Sequence, residues 1–184
     1  VSALRKARVG IAACLLGRKV RFDGRDKRAP DLLEALGPFV RWIPVCPEVE
    51  LGLGVPREPI RLAGRWPSPR LVAVASGDDL TAAMRRWTEA RLAELSALEL
   101  DGWVTKAGSP SCGLRGVPVH AVRGGLPVRR GVGLFVRALR RRWPDLPIEE
   151  EGRLEDPVAR RRFLARVLAH QRGRRPPPPR RRGG

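Results

Sequence analysis

RVGIAACLLGRKVRFDGRDKRAPDLLEALGPFVRWIPVC, residues 8–46, carries the reading that decides the fold. Its opening, RVGIAAC (8–14), is a short apolar run of the kind that forms a buried strand. A polar, basic loop from Gly17 to Gly24 follows and carries Asp23. Pro30 and the DLLEALG segment then predict a short helix that starts with Pro and Asp and stops at Gly37. FVRWIPVC (39–46) is rich in β-formers and predicts a second strand, with Pro44 near its end.

The same alternation continues outward. PEVELGLGVPREPIRL (47–62) reads as loop, because Gly52, Gly54, Pro56 and Pro59 are too closely spaced for a regular element. LVAVAS (71–76) predicts a third strand, and Asp78 or Asp79 caps a long helix, DLTAAMRRWTEARLAELSALEL (79–100). In that helix Leu80, Met84, Trp87, Leu92, Leu95 and Leu98 fall at the three- and four-residue steps of a core-facing stripe. DGWVTK (101–106) predicts a fourth strand, broken by the turn GSPSCG (108–113). Residues 114–130, rich in Gly, Pro and Arg, are expected to cover a site. GVGLFVRALRRRWP predicts a helix ending before Pro144, LPIEEE a last strand, and DPVARRRFLARVLAHQ a terminal helix with Pro157 at its first position.

Strands alternating with helices predict a single α/β domain over residues 1–171, with a mostly parallel sheet covered by helices on both faces in a Rossmann-like three-layer arrangement. Residues 172–184, RGRRPPPPRRRGG, are too polar to order themselves and predict a disordered Arg/Pro-rich tail.

The chain has 184 residues and a net charge of +18. Of its 37 basic residues only Lys6, Lys19, Lys27 and Lys106 are lysine, a bias that fits arginine placed wherever positive charge is tolerated. Six arginines lie in the tail, which leaves the body near +12. Solvated arginine on helix faces and a genuine polyanion site are both open readings. No run reaches the roughly 18 to 20 apolar residues of a membrane span, and the first seventeen residues lack a secretory cleavage signal, so a soluble, cytoplasmic protein is expected. Three cysteines without a CxxC pair make a poor disulfide framework.

Those cysteines, Cys14, Cys46 and Cys112, each follow a predicted strand. If the strands are neighbours in one parallel sheet, the sulfurs meet at the edge where α/β proteins bind ligands. Three thiolates there can hold an iron-sulfur cluster and leave one iron open. Around Cys112, Gly108 and Gly113 permit positive φ, Pro110 fixes a dihedral, and Ser109 and Ser111 offer hydroxyls to a ligand. Glu48 lies two residues past Cys46, where a carboxylate can orient a substrate or activate water. The plainer readings are a buried Cys in an ordinary turn, Glu48 and Glu50 paired with arginines such as Arg57, and Asp23 paired with Arg21 or Arg25. His120 and His170 have no metal-like spacing. Trp42 and Trp103 lie on strands leading to cysteines, and GVGLF suggests a fragment of a phosphate-binding helix start.

Taken in order, AACLLGRKVRFDG, FVRWIPVCPEVELGLGVPREPIRL, DGWVTKAGSPSCG and GVGLF resemble the thiouracil desulfidase family, domain of unknown function 523, from about residue 6 to residue 150. The resemblance implies a 4Fe-4S enzyme whose cluster is held by Cys14, Cys46 and Cys112, with its fourth iron open to the sulfur of a thiolated pyrimidine. It implies Glu48 and Ser109 as catalytic and substrate-binding residues, with Ser111 and Asp23 as neighbouring substrate contacts. The implied reaction removes sulfide from 2- or 4-thiouracil, or from 4-thiouridine monophosphate, with water supplying the oxygen and no net redox change. Other readings stay open at this stage. One is a cysteine-nucleophile sulfur-transfer enzyme; another is a basic RNA or tRNA-binding module with structural cysteines, whose tail contacts phosphates. The sequence is equally compatible with a monomer and a homodimer.

Overall fold

The computed structural model describes residues 5–121 and 124–174. The first half contains β1 (Ala7–Ala12), a 3-10 turn (Ala13–Leu16), α1 (Pro30–Leu36), β2 (Val40–Val45), α2 (Pro47–Glu50), β3 (Ile60–Ala63), β4 (Arg70–Ala73) and α3 (Thr81–Ser96). The second half contains β5 (Gly102–Thr105), β6 (Val117–His120), β7 (Val128–Gly131), α4 (Leu134–Arg142), β8 (Ile148–Glu150), a 3-10 turn (Glu151–Glu155) and α5 (Pro157–Gly173).

The main sheet has the order β2-β1-β5-β8 and every pairing in it is parallel. Alternation along β1 decides which helices cover which face. Ala7, Val9 and Ile11 point to one side, where Leu32 and Leu36 of α1 and Phe163 and Val167 of α5 close over them. On the other side Trp103 packs with Phe135, Val136 and Leu139 of α4 and Leu92 and Leu95 of α3. The Trp103 and Phe135 rings lie 5.3 Å apart, tilted, and fully burying a side chain such as Phe135 contributes about 1.5–3 kcal/mol. Gly10 is required there, since a Cβ on it would overlap the Trp103 indole. The parallel sheet with helices on both faces therefore agrees with the expected α/β class.

A second sheet was not anticipated. Its order is β4-β3-β6-β7; β3 and β6 run parallel, while β3–β4 and β6–β7 are antiparallel. The strand expected at 71–76 belongs here as β4, outside the parallel sheet, and the stretches read as loop contain α2, β3, β6 and β7. Leu62, Leu71, Val117 and Val119 pack this sheet against Met84 of α3 and Leu134 of α4, so the two sheets share these helices. α3 is shorter than its stripe predicts: Asp79 Oδ1 accepts from the Thr81 N–H at 2.9 Å just before it starts, and Leu98 beyond its end is exposed. α5 runs to Gly173, past the expected start of the tail, and residues 175–184 lie outside the described residues. No helix among the described residues is long and apolar enough to cross a membrane.

Candidate active site

The carboxyl ends of β1, β2 and β5 open onto a cavity of about 330 Å³ lined by Cys14, Cys46 and Cys112. Each cysteine arrives on a different irregular segment. Cys14 sits in the 3-10 turn after β1, which ends at Gly17 with φ of 89°, and its carbonyl accepts from the Gly17 and Lys27 N–H groups at 3.1 and 3.0 Å. Cys46 is the N-cap of α2, and Glu50 reaches back to accept its N–H at 3.0 Å. Arg91 of α3 holds the other oxygen of Glu50 at 3.0 Å, which ties the Cys46 backbone to a long helix. Cys112 lies in the SPSC turn, where its N–H donates to Ser109 Oγ at 3.1 Å and its carbonyl accepts from Thr105 Oγ1.

That turn is fixed from two sides. Glu150 at the end of β8 is buried and accepts from the Leu114 and Arg115 N–H groups at 2.9 and 3.2 Å. From the other side the Leu134 and Phe135 N–H groups donate to the Pro110 and Ser111 carbonyls at 3.2 and 3.1 Å. Gly133 packs so closely on Ser111 that a Cβ would overlap its carbonyl. This corrects the reading of GVGLF as a phosphate cradle, because these first N–H groups of α4 are spent on the SPSC turn. The segment serves the site as a buttress.

Glu48, Ser109 and Ser111 line the same cavity and form one chain of hydrogen bonds. Ser111 Oγ donates to Glu48 Oε1 at 2.7 Å, and the two serine hydroxyls are 3.0 Å apart. Ser111 Oγ also lies 3.6 Å from Cys112 Sγ. Arg57, which the sequence reading considered only as an ion-pair partner, donates to Glu48 Oε2 from Nη2 at 2.6 Å and from Nε at 3.1 Å. Its remaining donors reach the Val20 and Gly54 carbonyls at 3.0 and 2.8 Å. The pairing reading and the site reading of Glu48 thus describe one arrangement.

Lys106 and Glu151 were also missed as contributors. Lys106 lines the cavity and pairs with Glu151, which accepts the Ala107 N–H at 2.7 Å. Their signal was faint: a single lysine after a strand and a single acid in an EEE run. Arg21 and Phe22 line the mouth, with the guanidinium 5.5 Å from the ring centroid. Asp23, by contrast, is absent from the lining. It is exposed, accepts from the Arg25 N–H at 3.1 Å and pairs with Arg21 at 3.3 Å, so it closes its own turn. Trp42 and Trp103 do not line the cavity either; Trp103 belongs to the core.

Burial pushes all three thiols up. Cys14 reaches about 11, by desolvation first and by the nearby Cys46 second. Cys112 goes well above the usual thiol value, with Glu48, Cys46 and Cys14 adding to the desolvation against a hydrogen bond from Ser111. Cys46 moves the same way, mainly by desolvation. Three neighbouring thiols that resist ionisation suit a cationic metal group, which converts them to thiolates on binding. Among the described residues no three His, Cys, Asp or Glu side chains converge as ligands of one ion would.

Residues 9–151 match the family described as 2-thiouracil desulfurase. The chain belongs to that family. Among solved structures it resembles TudS, a 4Fe-4S-dependent thiouracil desulfidase, with a TM-score of 0.69 and 33% identity over 89% of this chain and 99% of that one. It is also 28% identical over 108 residues to the uncharacterized protein YbbK of Bacillus subtilis strain 168, covering 56% of this chain and 71% of the relative. The desulfurase family and TudS are enzymes, so the cavity at the strand ends is that of an enzyme fold.

Proposed function

We propose that this protein removes sulfur from thiolated pyrimidines, 2- or 4-thiouracil or 4-thiouridine monophosphate, and releases it as sulfide while water supplies the replacing oxygen. The single observation that carries the proposal is one cavity lined by Cys14, Cys46 and Cys112 together with the hydrogen-bonded Glu48 and Ser111. Residues 1–171 form the catalytic domain in this reading.

Cys14, Cys46 and Cys112 are the residues that would hold a 4Fe-4S cluster, and Asp23 is left out of the substrate contacts. Bound there, such a cluster supplies an open, thiophilic iron that polarises the carbon-sulfur bond. Glu48 Oε1 is the general base for the attacking water, with Arg57 fixing the carboxylate so that this oxygen faces the cavity. Ser111 Oγ, already donating to Oε1, is placed to pass a proton along the Ser109–Ser111 pair to the ring or the departing sulfur. Oxygen bonds to the ring carbon as the carbon-sulfur bond breaks, and the water's two protons end on the products, so no electrons are exchanged. Lys106 and Arg21 bring positive charge to a cavity that gathers anionic sulfur.

The cysteine-nucleophile reading is weaker, because a nucleophilic thiol needs a depressed pKa and burial drives all three upward. The test is anaerobic reconstitution with iron and sulfide, followed by assays of bound iron and of sulfide released from each thiolated substrate. Cys14→Ala, Cys46→Ala and Cys112→Ala are each expected to lose both the cluster and sulfide release. A variant that kept a full cluster would sink the three-ligand assignment; a fully loaded wild type that released no sulfide would sink the reaction.

A further inference from the structure

The opposite, amino-terminal end of the main sheet carries a second concavity that the reaction does not use. It is a groove of about 420 Å³ lined by Arg5, Lys6, Arg8, Val40 and Arg41. Arg8 and Arg41 are partners in the register of β1 and β2, so two guanidinium side chains leave the same face on adjacent strands. Like charges placed directly across a strand pair cost stability. The ion pairs described here lead from Arg5 and Arg8, at 3.8 and 3.5 Å, to the single carboxylate of Glu99, while Lys6 donates to the Gly37 carbonyl at 2.8 Å. Asp101 is the other carboxylate of this corner: its Oδ2 accepts the Arg8 N–H at 2.7 Å and its Oδ1 pairs with Arg174, so Arg5, Lys6, Arg8, Arg41 and Arg174 outnumber the two acids.

Two further features belong to this corner. Phe39, 48% exposed, stands one residue before Val40 of the groove's wall, and its carbonyl accepts the Ala7 N–H at 3.0 Å, which holds its backbone against the start of β1. The last turn of α5 also ends here: Gln171 Nε2 donates to the Arg5 carbonyl at 2.9 Å, and Arg174 Nη2 donates to the Glu99 carbonyl at 2.6 Å.

We propose that this corner docks single-stranded nucleic acid, with Arg5, Lys6, Arg8 and Arg41 neutralising phosphates and Phe39 stacking a base. An aromatic face beside a cationic groove is the combination that tracks a single strand without reading its sequence. Arginine adds planar, two-pronged contacts to phosphate oxygens. A lipid surface is flat and engages a groove poorly, so anionic membrane is the lesser candidate. Because the corner lies at the end of the sheet away from the cysteines, this docking is independent of the desulfidase reading.

The experiment is fluorescence anisotropy of the full chain with an oligouridylate and an oligothymidylate of about 12 nucleotides, within the usual single-strand footprint, across a salt series. Lys6→Ala/Arg41→Ala is expected to weaken binding about tenfold and to lower the slope of log affinity against log salt by roughly 1.4, at ~0.7 per phosphate contact. Phe39→Ala is expected to weaken it about fivefold or more with the slope unchanged. Arg85→Ala/Arg141→Ala, on α3 and α4, is the charge-matched control and should stay within about twofold of wild type. Thermal melts check that every variant is folded, and sulfide release should be unchanged in all of them. Binding of both oligomers supports the shared phosphate-and-base chemistry. Equal losses in the two double variants, an unchanged slope in Lys6→Ala/Arg41→Ala, or stronger binding to phosphatidylserine vesicles than to either oligomer would overturn the proposal.

Discussion

Arg57 donates twice to one oxygen of Glu48 and leaves the other to Ser111. The guanidinium side chain is only 6% exposed and also holds the Val20 carbonyl, which accepts the Cys46 thiol at 3.9 Å. One buried cation thus ties Glu48, the mouth loop and a cysteine segment together. Glu48→Gln keeps the shape and removes the proposed base, so kcat should fall by about 10²- to 10⁴-fold while bound iron is retained. Arg57→Lys cannot reproduce the double contact and should lower kcat with little change in KM. Steady-state kinetics with iron determined on the same samples reads both outcomes. Loss of iron in step with activity would assign Arg57 a purely structural role.

Glu150 is the buried acceptor that anchors the turn after Cys112. In Glu150→Ala the Leu114 and Arg115 N–H groups lose their acceptor, and an orphaned buried donor costs about 1–3 kcal/mol. The variant should melt lower and bind less iron per chain, since the SPSC turn loses its hold on β8. Arg115→Ala is the comparison: its side chain, 46% exposed, pairs with Glu149 at 2.8 Å while its N–H stays on Glu150, and a pair this open to solvent is worth about 1 kcal/mol at most. Denaturant unfolding of the two variants side by side separates these effects.

The parallel sheet was legible because β1, β2 and β5 are compact apolar runs and α1, α4 and α5 carry Pro or Gly at their ends. The second sheet was not. Its strands IRLA, VPVH and VRRG are four residues long and broken by Arg or Pro, too short for any alternation to register. LVAVAS did read as a strand, yet nothing in its composition says which sheet it joins. At the site, the gathering of three cysteines could be anticipated only conditionally, since it depends on strand order. Arg57 was visible as a partner for Glu48, whereas its second task of holding Val20 depends on a contact 37 residues away in sequence. Asp23 sits in a loop read as near the site, and it stays at the surface because Arg21 and Arg25 satisfy it locally.

Gly133 tests the buttress beneath Cys112. A methyl there would overlap the Ser111 carbonyl and lie 2.6 Å from the Cys112 nitrogen, and both neighbours are backbone that cannot rotate aside. Gly133→Ala should therefore cost about 1–3 kcal/mol, as overpacking does, and should perturb the Ser111–Glu48 hydrogen bond. Gly152→Ala is the control, because a Cβ at that glycine meets nothing within 4 Å. Thermal melting and sulfide release should both fall in the first variant and stay near wild type in the second.

The raised thiols give the protein without its cluster a pH dependence of definite sign. Cys14 titrates at about 11 in the fold against 9.0 ordinarily, so the unfolded chain releases this proton first as pH rises. The stability linked to it is complete below pH 9 and drains away as pH climbs through about 11. Cluster-free protein should lose melting temperature over that window, and Cys14→Ala should lose less of it. Loading with iron has the opposite dependence: metal binding must expel the thiol protons, so uptake at equilibrium should strengthen as pH rises from neutrality and release protons into weakly buffered solution. Proton release measured during anaerobic loading checks this. Iron uptake that was independent of pH would mean that the thiols do not enter as thiolates, and the assignment of Cys14, Cys46 and Cys112 as ligands would fail with it.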